Sequence, residues 1–198
     1  MSSAKTVGIL ALQGDVRDHA ALLRDIGTRT LEVRTSEDLE RSDALVIPGG
    51  ESTTIGFMLA EHDMLEPLRK RIEDGMPVLG TCAGAILLAK TVVGGADQDR
   101  WPTIGVLDAT VHRNAYGRQV DSFEDDIEVS GVGTMHAVFI RAPVIASVGP
   151  DVEILATHRD EPIVVRQDNI IAATFHPELA AEGGLHRLLV EGARGEKA

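Results

Sequence analysis

A single cysteine, Cys82, is present in 198 residues, so the chain cannot form an internal disulfide. Lysine is scarce as well, confined to Lys5, Lys70, Lys90 and Lys197, and the formal net charge is −12. That balance repels a phosphate backbone, and no basic stripe offsets it, so nucleic acid is not expected as a partner. No apolar run reaches the ~18 residues of a membrane span and no charged-then-apolar leader is visible. Membrane insertion and secretion are therefore not expected, and the cytoplasm is the expected location. Metal-ligand spacing is also missing: His19, His62, His112, His136, His158 and His186 are scattered without a cysteine cluster and read as surface or packing residues. No metal and no cofactor is expected. The chain has no internal repeat, low-complexity tract or linker, and its 43% hydrophobic content over 198 residues suits one α/β domain spanning 1–198.

The lone cysteine sits at a telling place. Gly80-Thr81-Cys82-Ala83-Gly84 follows the apolar Pro77-Val78-Leu79 and precedes Ala85-Ile86-Leu87-Leu88-Ala89, which reads as buried strand, sharp turn and helix. This is the thiol version of the Gly-x-Ser-x-Gly nucleophile elbow, with glycines where side chains would clash. A helix N-terminus favours the thiolate, which is the nucleophilic form. A buried structural cysteine is the bland alternative.

A base and its orienting group follow near the other end. Ile170 to Phe175 is a β-rich apolar run that ends in His176-Pro177-Glu178. Pro177 pushes His176 towards an extended conformation, so side chains 176 and 178 can share one side and the carboxylate can hold the imidazole. Cys82, His176 and Glu178 together satisfy the logic of nucleophile, base and orienter. A third strand, Ala44 to Ile47, runs into Pro48-Gly49-Gly50-Glu51-Ser52-Thr53-Thr54, whose glycines allow backbone N–H groups to point into an oxyanion hole. The N–H of Ala83 is the second expected donor. The same segment also reads as an ordinary strand-to-helix turn with Ser52 or Thr53 as N-cap.

The chain resembles class I (triad) glutamine amidotransferases, and within them the family of glutaminase subunits of pyridoxal 5′-phosphate synthase (PdxT/SNO). The resemblance is carried by Gly8 to Gly14, Pro48 to Thr54, Gly80 to Gly84, Arg113 to Gln119, Phe139 to Pro143 and Phe175 to Glu178, spread over nearly the whole chain. It implies a Cys82–His176–Glu178 triad that hydrolyses L-glutamine, with Gly50, Glu51, Ser52, Arg113, Ile140 and Arg141 holding the substrate. It also implies an oxyanion hole near Gly50 and Ala83, and a response of Gln13-Gly14-Asp15 to a partner, where the residues alone read as a turn and cap. That partner would be the synthase subunit, in a large hetero-oligomer, accepting the ammonia. An arginine and a glutamate suit the α-carboxylate and α-ammonium of an amino acid; solvated surface charges remain the alternative for Arg113 and Arg141. Two rival functions stay open: a glutaminase for another acceptor, such as imidazole glycerol phosphate synthase, and a non-enzymatic module of the same fold.

The remaining pattern predicts a three-layer α/β fold with a mostly parallel sheet, extended by antiparallel strands and covered by helices on both faces. Strands are expected at Thr6–Leu12, Thr30–Val33, Ala44–Ile47 and Val78–Leu79, with helices over Val16–Ile26 behind an Asp15 N-cap, from Ser36, and over Thr53–Asp74. After a polar loop at Gly94–Arg100, short strands are expected at Ile104–Val111, Asp126–Val129, Thr134–Arg141, Val144–Val148, Val152–Ala156, Ile163–Val165 and Ile170–Phe175. Asp121, Glu124, Asp125 and Asp126 read as a solvated acidic loop rather than a cation site.

Overall fold

Short strands with no polar residue, such as Ala44–Ile47 and Ile170–Ala173, must be covered on both faces, and that requirement organises the molecule. The structure is a computed structural model that describes residues 5–94, 101–113 and 122–194. In chain order come β1 (Thr6–Leu10), α1 (Val16–Asp25), β2 (Arg29–Val33), α2 (Ser36–Glu40), β3 (Ala44–Ile47), α3 (Ser52–Glu61), α4 (Leu65–Glu73), β4 (Val78–Thr81) and α5 (Ala83–Leu88). There follow β5 (Ala89–Val93), β6 (Leu107–His112), β7 (Phe123–Val129), β8 (Gly133–Phe139), β9 (Val144–Val148), β10 (Glu153–His158), β11 (Glu161–Gln167), β12 (Ile170–Ala173) and α6 (Gly184–Arg194).

Seven strands form the central sheet in the order β10-β11-β12-β4-β3-β1-β2. The run from β12 to β2 is parallel, while β11 and β10 add antiparallel at the β12 edge. Side chains alternate across it with period two. Val7, Ile9, Val46, Leu79, Ile171 and Ala173 face α1 and α6, meeting Ala20, Leu23, Leu185 and Leu189. Leu10, Leu45, Ile47, Val78, Ile170 and Ala172 face α3, α4 and α5, meeting Ile55, Leu59, Leu68, Ile72 and Ile86. The expected three-layer arrangement is therefore present.

Several expectations need correction. Instead of one extended sheet the described residues form three, because β5-β6-β9 and the β7-β8 hairpin pair among themselves and pack on opposite faces of the central sheet. The expected helix over Thr53–Asp74 is broken between α3 and α4, where Asp63 takes φ 53°, a conformation that Asp tolerates. The elbow helix stops at Leu88: Ala89 turns extended at ψ 139° and β5 begins, a switch that an unbroken apolar run does not disclose. Asp15 occupies the N-cap position of α1 without capping it through its side chain. Glu124, Asp125 and Asp126 lie on β7, exposed as expected but paired in a strand. Helix α6 is not among the expected elements. The loop residues 95–100, Asn114 to Gln119 of the Arg113 motif and Asp121 lie outside the described residues.

Two histidines are buried in the α1/α6 layer. His19 on α1 and His186 on α6 are both fully buried, with His19 Nδ1 2.8 Å from His186 Nε2. Burial, His186 and His176 push the His19 pKa well below 6.5, and burial takes His186 down to about 4 against the opposing influence of the Glu182 backbone. Both are neutral in the fold. On acidification through 6.5 the unfolded chain gains protons that the folded chain refuses, so stability present above that pH is lost as pH falls towards 4. Each such histidine steepens the loss by ~1.4 kcal/mol per pH unit. Urea unfolding at a series of pH values should show a shallower acid slope in His186→Leu; an unchanged slope would refute the assignment.

Gly84 supplies a second test. A Cβ there would run into the Ile47 carbonyl oxygen, which belongs to the rigid β3 backbone. Helix propensity favours alanine by ~1 kcal/mol, yet Gly84→Ala should destabilise by about 1–3 kcal/mol through overpacking. A shift of the urea midpoint to higher concentration would contradict this reading.

Candidate active site

The site is assembled by strand register. Ala173 lies opposite Thr81 in the β12–β4 pair and Ile47 lies opposite Gly80 in the β3–β4 pair, so three carboxyl ends finish level. Their following residues are Thr174 to His176, Cys82, and Pro48 to Gly50. Ligands in such sheets sit at these ends. The Cys82 N–H donates to the Ala173 carbonyl at 2.9 Å, and the His176 N–H donates to the Val138 carbonyl of β8 at 2.9 Å. Both segments are thus fixed by backbone bonds before side chains contribute.

Cys82 takes φ 48°, ψ −101° immediately before α5, a sparsely populated conformation for a residue with a side chain. The turn is possible because glycines flank it. A Cβ on Gly80 would stand 2.6 Å from Leu88 Cδ1 and 2.7 Å from the Gly84 carbonyl carbon. The elbow inferred from sequence is therefore the observed geometry. Ala83 is the first residue of α5, where backbone N–H groups have no intrahelical acceptor.

His176 and Glu178 point the same way across Pro177, and His176 Nδ1 lies 2.7 Å from Glu178 Oε1. Asp15 Oδ2 stands farther off, 3.6 Å from the same nitrogen. Burial lowers the His176 pKa, but the hydrogen bonds and charges of Cys82 and Glu178 outweigh it and raise the value to about 10. The imidazolium is the resting form, held between two acids. Nδ1 is committed to Glu178, so although Asp15, His176 and Glu178 bring ligand atoms within 4.8 Å of one another, a cation there would have to displace that bond.

A cleft of about 480 Å³ opens above Cys82 and His176. All six residues expected to hold substrate line it: Gly50, Glu51, Ser52, Arg113, Ile140 and Arg141. Glu51 is the N-cap of α3, a place expected for Ser52 or Thr53. Its carboxylate accepts from the backbone N–H groups of Thr53 (3.3 Å) and Thr54 (2.7 Å) and from the Thr54 hydroxyl (2.9 Å). Burial raises its pKa, but these donors and Arg113 prevail and hold it below the ordinary carboxylate value. Arg113 Nη2 lies 3.1 Å from Glu51 Oε1, and its guanidinium stacks 4.8 Å over the Trp101 ring. It is a fixed wall of the cleft, whereas Arg141 is exposed at the rim with φ 46°. Gln13 Oε1 accepts from the Glu51 N–H at 2.8 Å, which ties the β1 loop to the glycine turn.

Sequence reasoning missed what stands behind the His176–Glu178 pair. His19 Nε2 lies 3.4 Å from Glu178 Oε2 and 3.2 Å from Thr81 Oγ1, and the side chains of His19, Glu178 and Thr81 are all buried. A histidine followed by Ala20, Leu22 and Leu23 at helical spacing was the available signal. It marked His19 as inward-facing, but not what it would meet.

Comparisons with known proteins give the family and the fold. The SNO glutamine amidotransferase family matches residues 9–193. The pyridoxal 5′-phosphate synthase subunit PdxT of Thermus thermophilus is 52% identical over 186 residues, covering 93% of this chain and 96% of that protein. The PdxT of Mycolicibacterium vanbaalenii is 52% identical over 191 residues, covering 95% and 97%. Among solved structures, a glutamine amidotransferase shares 51% identity and superposes with a TM-score of 0.89, covering 95% of this chain and 98% of its own. A glutamine amidotransferase from Thermotoga maritima, at 15% identity and TM-score 0.60 over 99% of this chain and 93% of its own, shares the fold. With the match running from the first strand into the last helix, the chain belongs to the SNO glutamine amidotransferase family.

Proposed function

We propose that this chain is the glutaminase subunit of a pyridoxal 5′-phosphate synthase, working as one domain in the cytoplasm and supplying ammonia to a PdxS-type synthase subunit in a large hetero-oligomer. The observation that carries the chemistry is Cys82 on its strained elbow beside a His176–Glu178 pair at 2.7 Å. The acceptor is inferred from the relatives, which at 52% identity are named as subunits of that synthase. Imidazole glycerol phosphate synthase as acceptor has no comparable support.

In this reading glutamine enters with its α-carboxylate towards Arg113 and its α-ammonium towards Glu51. The Cys82 thiolate attacks the side-chain carboxamide carbon, and the oxyanion is stabilised by backbone N–H groups near Gly50 and at Ala83. The His176 imidazolium gives its proton to the departing nitrogen, and ammonia leaves a glutamyl thioester on Cys82. Neutral His176 then takes a proton from water, the resulting hydroxide attacks the thioester, and glutamate departs with the thiolate restored. Glu178 keeps the imidazole oriented and offsets its charge throughout.

Mixing the protein with the synthase subunit, a pentose phosphate, a triose phosphate and glutamine should yield pyridoxal 5′-phosphate. Cys82→Ala should abolish the glutamine-driven reaction while added ammonium still supports it. His176→Asn should come close to the same loss, and Glu178→Gln should keep partial activity. Failure of the wild-type protein with a synthase that works on ammonium would reject the proposed acceptor, and turnover in Cys82→Ala would reject the mechanism.

The charge coupling has its own test. Removing Cys82 removes the leading upward influence on His176, so in Cys82→Ala an NMR titration of the His176 ring should place its pKa below about 10. The associated stability is full below 6.5 and lost as pH rises through about 10, so the variant should lose less stability over that window than the wild type. Identical titrations would show that the thiol and imidazole are not paired.

A further inference from the structure

Within the triad itself, the acid is gripped at only one of its two oxygens. Glu178 Oε1 serves His176, while Oε2 is buried with no hydrogen bond to another described residue that meets full geometry. A carboxylate oxygen without a donor in the interior is costly. His19 Nε2 lies 3.4 Å from Glu178 Oε2.

We propose that His19 is a positioning residue for the triad, its Nε2–H directed at Glu178 Oε2 while His186 and Thr81 hold the ring. This inference rests on the glutaminase reading above. The elements involved are those that build the site: His19 comes from α1, Thr81 is the β4 residue before Cys82, His186 comes from α6, and Glu178 follows β12.

Tautomer logic supports the direction. His19 is neutral, so one ring nitrogen carries a proton and the other does not. If Nδ1 carried it, the Nε2 lone pair would face the Glu178 carboxylate in a site without solvent. If Nε2 carries it, the proton is shared between Thr81 Oγ1 at 3.2 Å and, in a longer charge-assisted contact at 3.4 Å, Glu178 Oε2, while Nδ1 accepts from His186 Nε2–H at 2.8 Å. His186 Nδ1 is then the bare nitrogen; it makes no hydrogen bond of full geometry, although the nearby Glu182 backbone favours a proton there. The opposite chain would run from Thr81 Oγ1 through His19 and His186 to the Glu182 carbonyl, using only neutral partners. The ionised carboxylate makes the first chain the stronger one.

The anchor decides which acid His176 uses. Asp15 Oδ2 lies 3.6 Å from His176 Nδ1 and is partly exposed, so a Glu178 free to rotate leaves the imidazole an alternative partner at the mouth of the cleft. The groups facing Glu178 and His176 are then His19 from α1, Thr81 from β4, Asp15 before α1, and Cys82, with His186 one step behind.

Two measurements test this. Long-range ¹H–¹⁵N NMR of the isolated wild-type protein should find His19 protonated at Nε2 and bare at Nδ1; a proton on Nδ1 would overturn the proposal regardless of any activity. Glutamine hydrolysis with the synthase subunit present should then show kcat of His19→Leu reduced about 10- to 100-fold, the range typical of residues that orient a catalytic group from behind, with KM within about 2-fold. His19→Gln, whose amide N–H can take the place of Nε2–H, should recover kcat to within about 3-fold. Equal losses in the two variants, or a change confined to KM, would refute positioning, and an unfolded His19→Leu leaves the tautomer and His19→Gln to decide. A wild type without glutaminase activity would reject the functional reading while the NMR result still stands.

Discussion

The hydrogen bond from the Cys82 N–H to the Ala173 carbonyl is the contact on which the site depends. It closes the parallel pairing of β4 with β12 at the point where both strands end, and so fixes the distance between the Cys82 turn and the segment that carries His176. A slip of one residue in that register would turn every side chain of β12 to the opposite face. Ile171 and Ala173 belong to the α1/α6 layer while Ile170 and Ala172 belong to the α3/α4/α5 layer, so a slip would disrupt two cores at once. The geometry of the chemistry is thus secured by hydrophobic burial, which stabilises the register far more than any hydrogen bond within the triad does.

The same tightness of packing explains the glycines. Gly84 lets α5 lie against the Ile47 carbonyl and Gly80 lets the turn close under Leu88. Gly49 has no side chain because a Cβ there would meet the His176 ring, with Nδ1 at 2.9 Å. Close packing around Cys82 is what holds it at a positive φ that would otherwise relax, since strain of this kind persists only where the surroundings over-determine it.

Much of this was legible in the sequence because it is local. Strand, turn and helix around Cys82 follow from glycine spacing and apolar runs, and the shared side of His176 and Glu178 follows from one proline. The place of β1, β2, β3 and β4 in a parallel sheet follows from alternation with helices. What stayed hidden is tertiary. Glu51 reads as a substrate ligand but commits most of its hydrogen-bonding capacity to the α3 N-terminus, and no local pattern distinguishes the two uses. The apolar run through Leu88 does not announce where a six-residue helix gives way to β5. His19 and His186 are far apart in sequence and meet only because α1 and α6 pack on the same face, so a reading that looks for ligand spacing along the chain dismisses both.

That layer also sets the charges around the buried Glu178 side chain. Glu178 faces an imidazolium on one side, and the histidine on the other side is kept neutral by burial and by its cationic neighbour. A second cation at His19 would compete with His176 for the same charge, whereas a neutral ring adds a dipole without changing the count. Cys82, His176 and Glu178 then form a row in which the central imidazolium has a partner on each side, and those two partners raise the His176 pKa to about 10 against the opposing effect of burial. In the proposed mechanism, moving the proton from His176 to the leaving nitrogen is made easier as the Cys82 sulfur is consumed by bond formation, because the imidazolium loses one of its two partners at the moment its proton is needed. The pairing that holds His176 in the free protein would therefore be weakened by the first step of that mechanism.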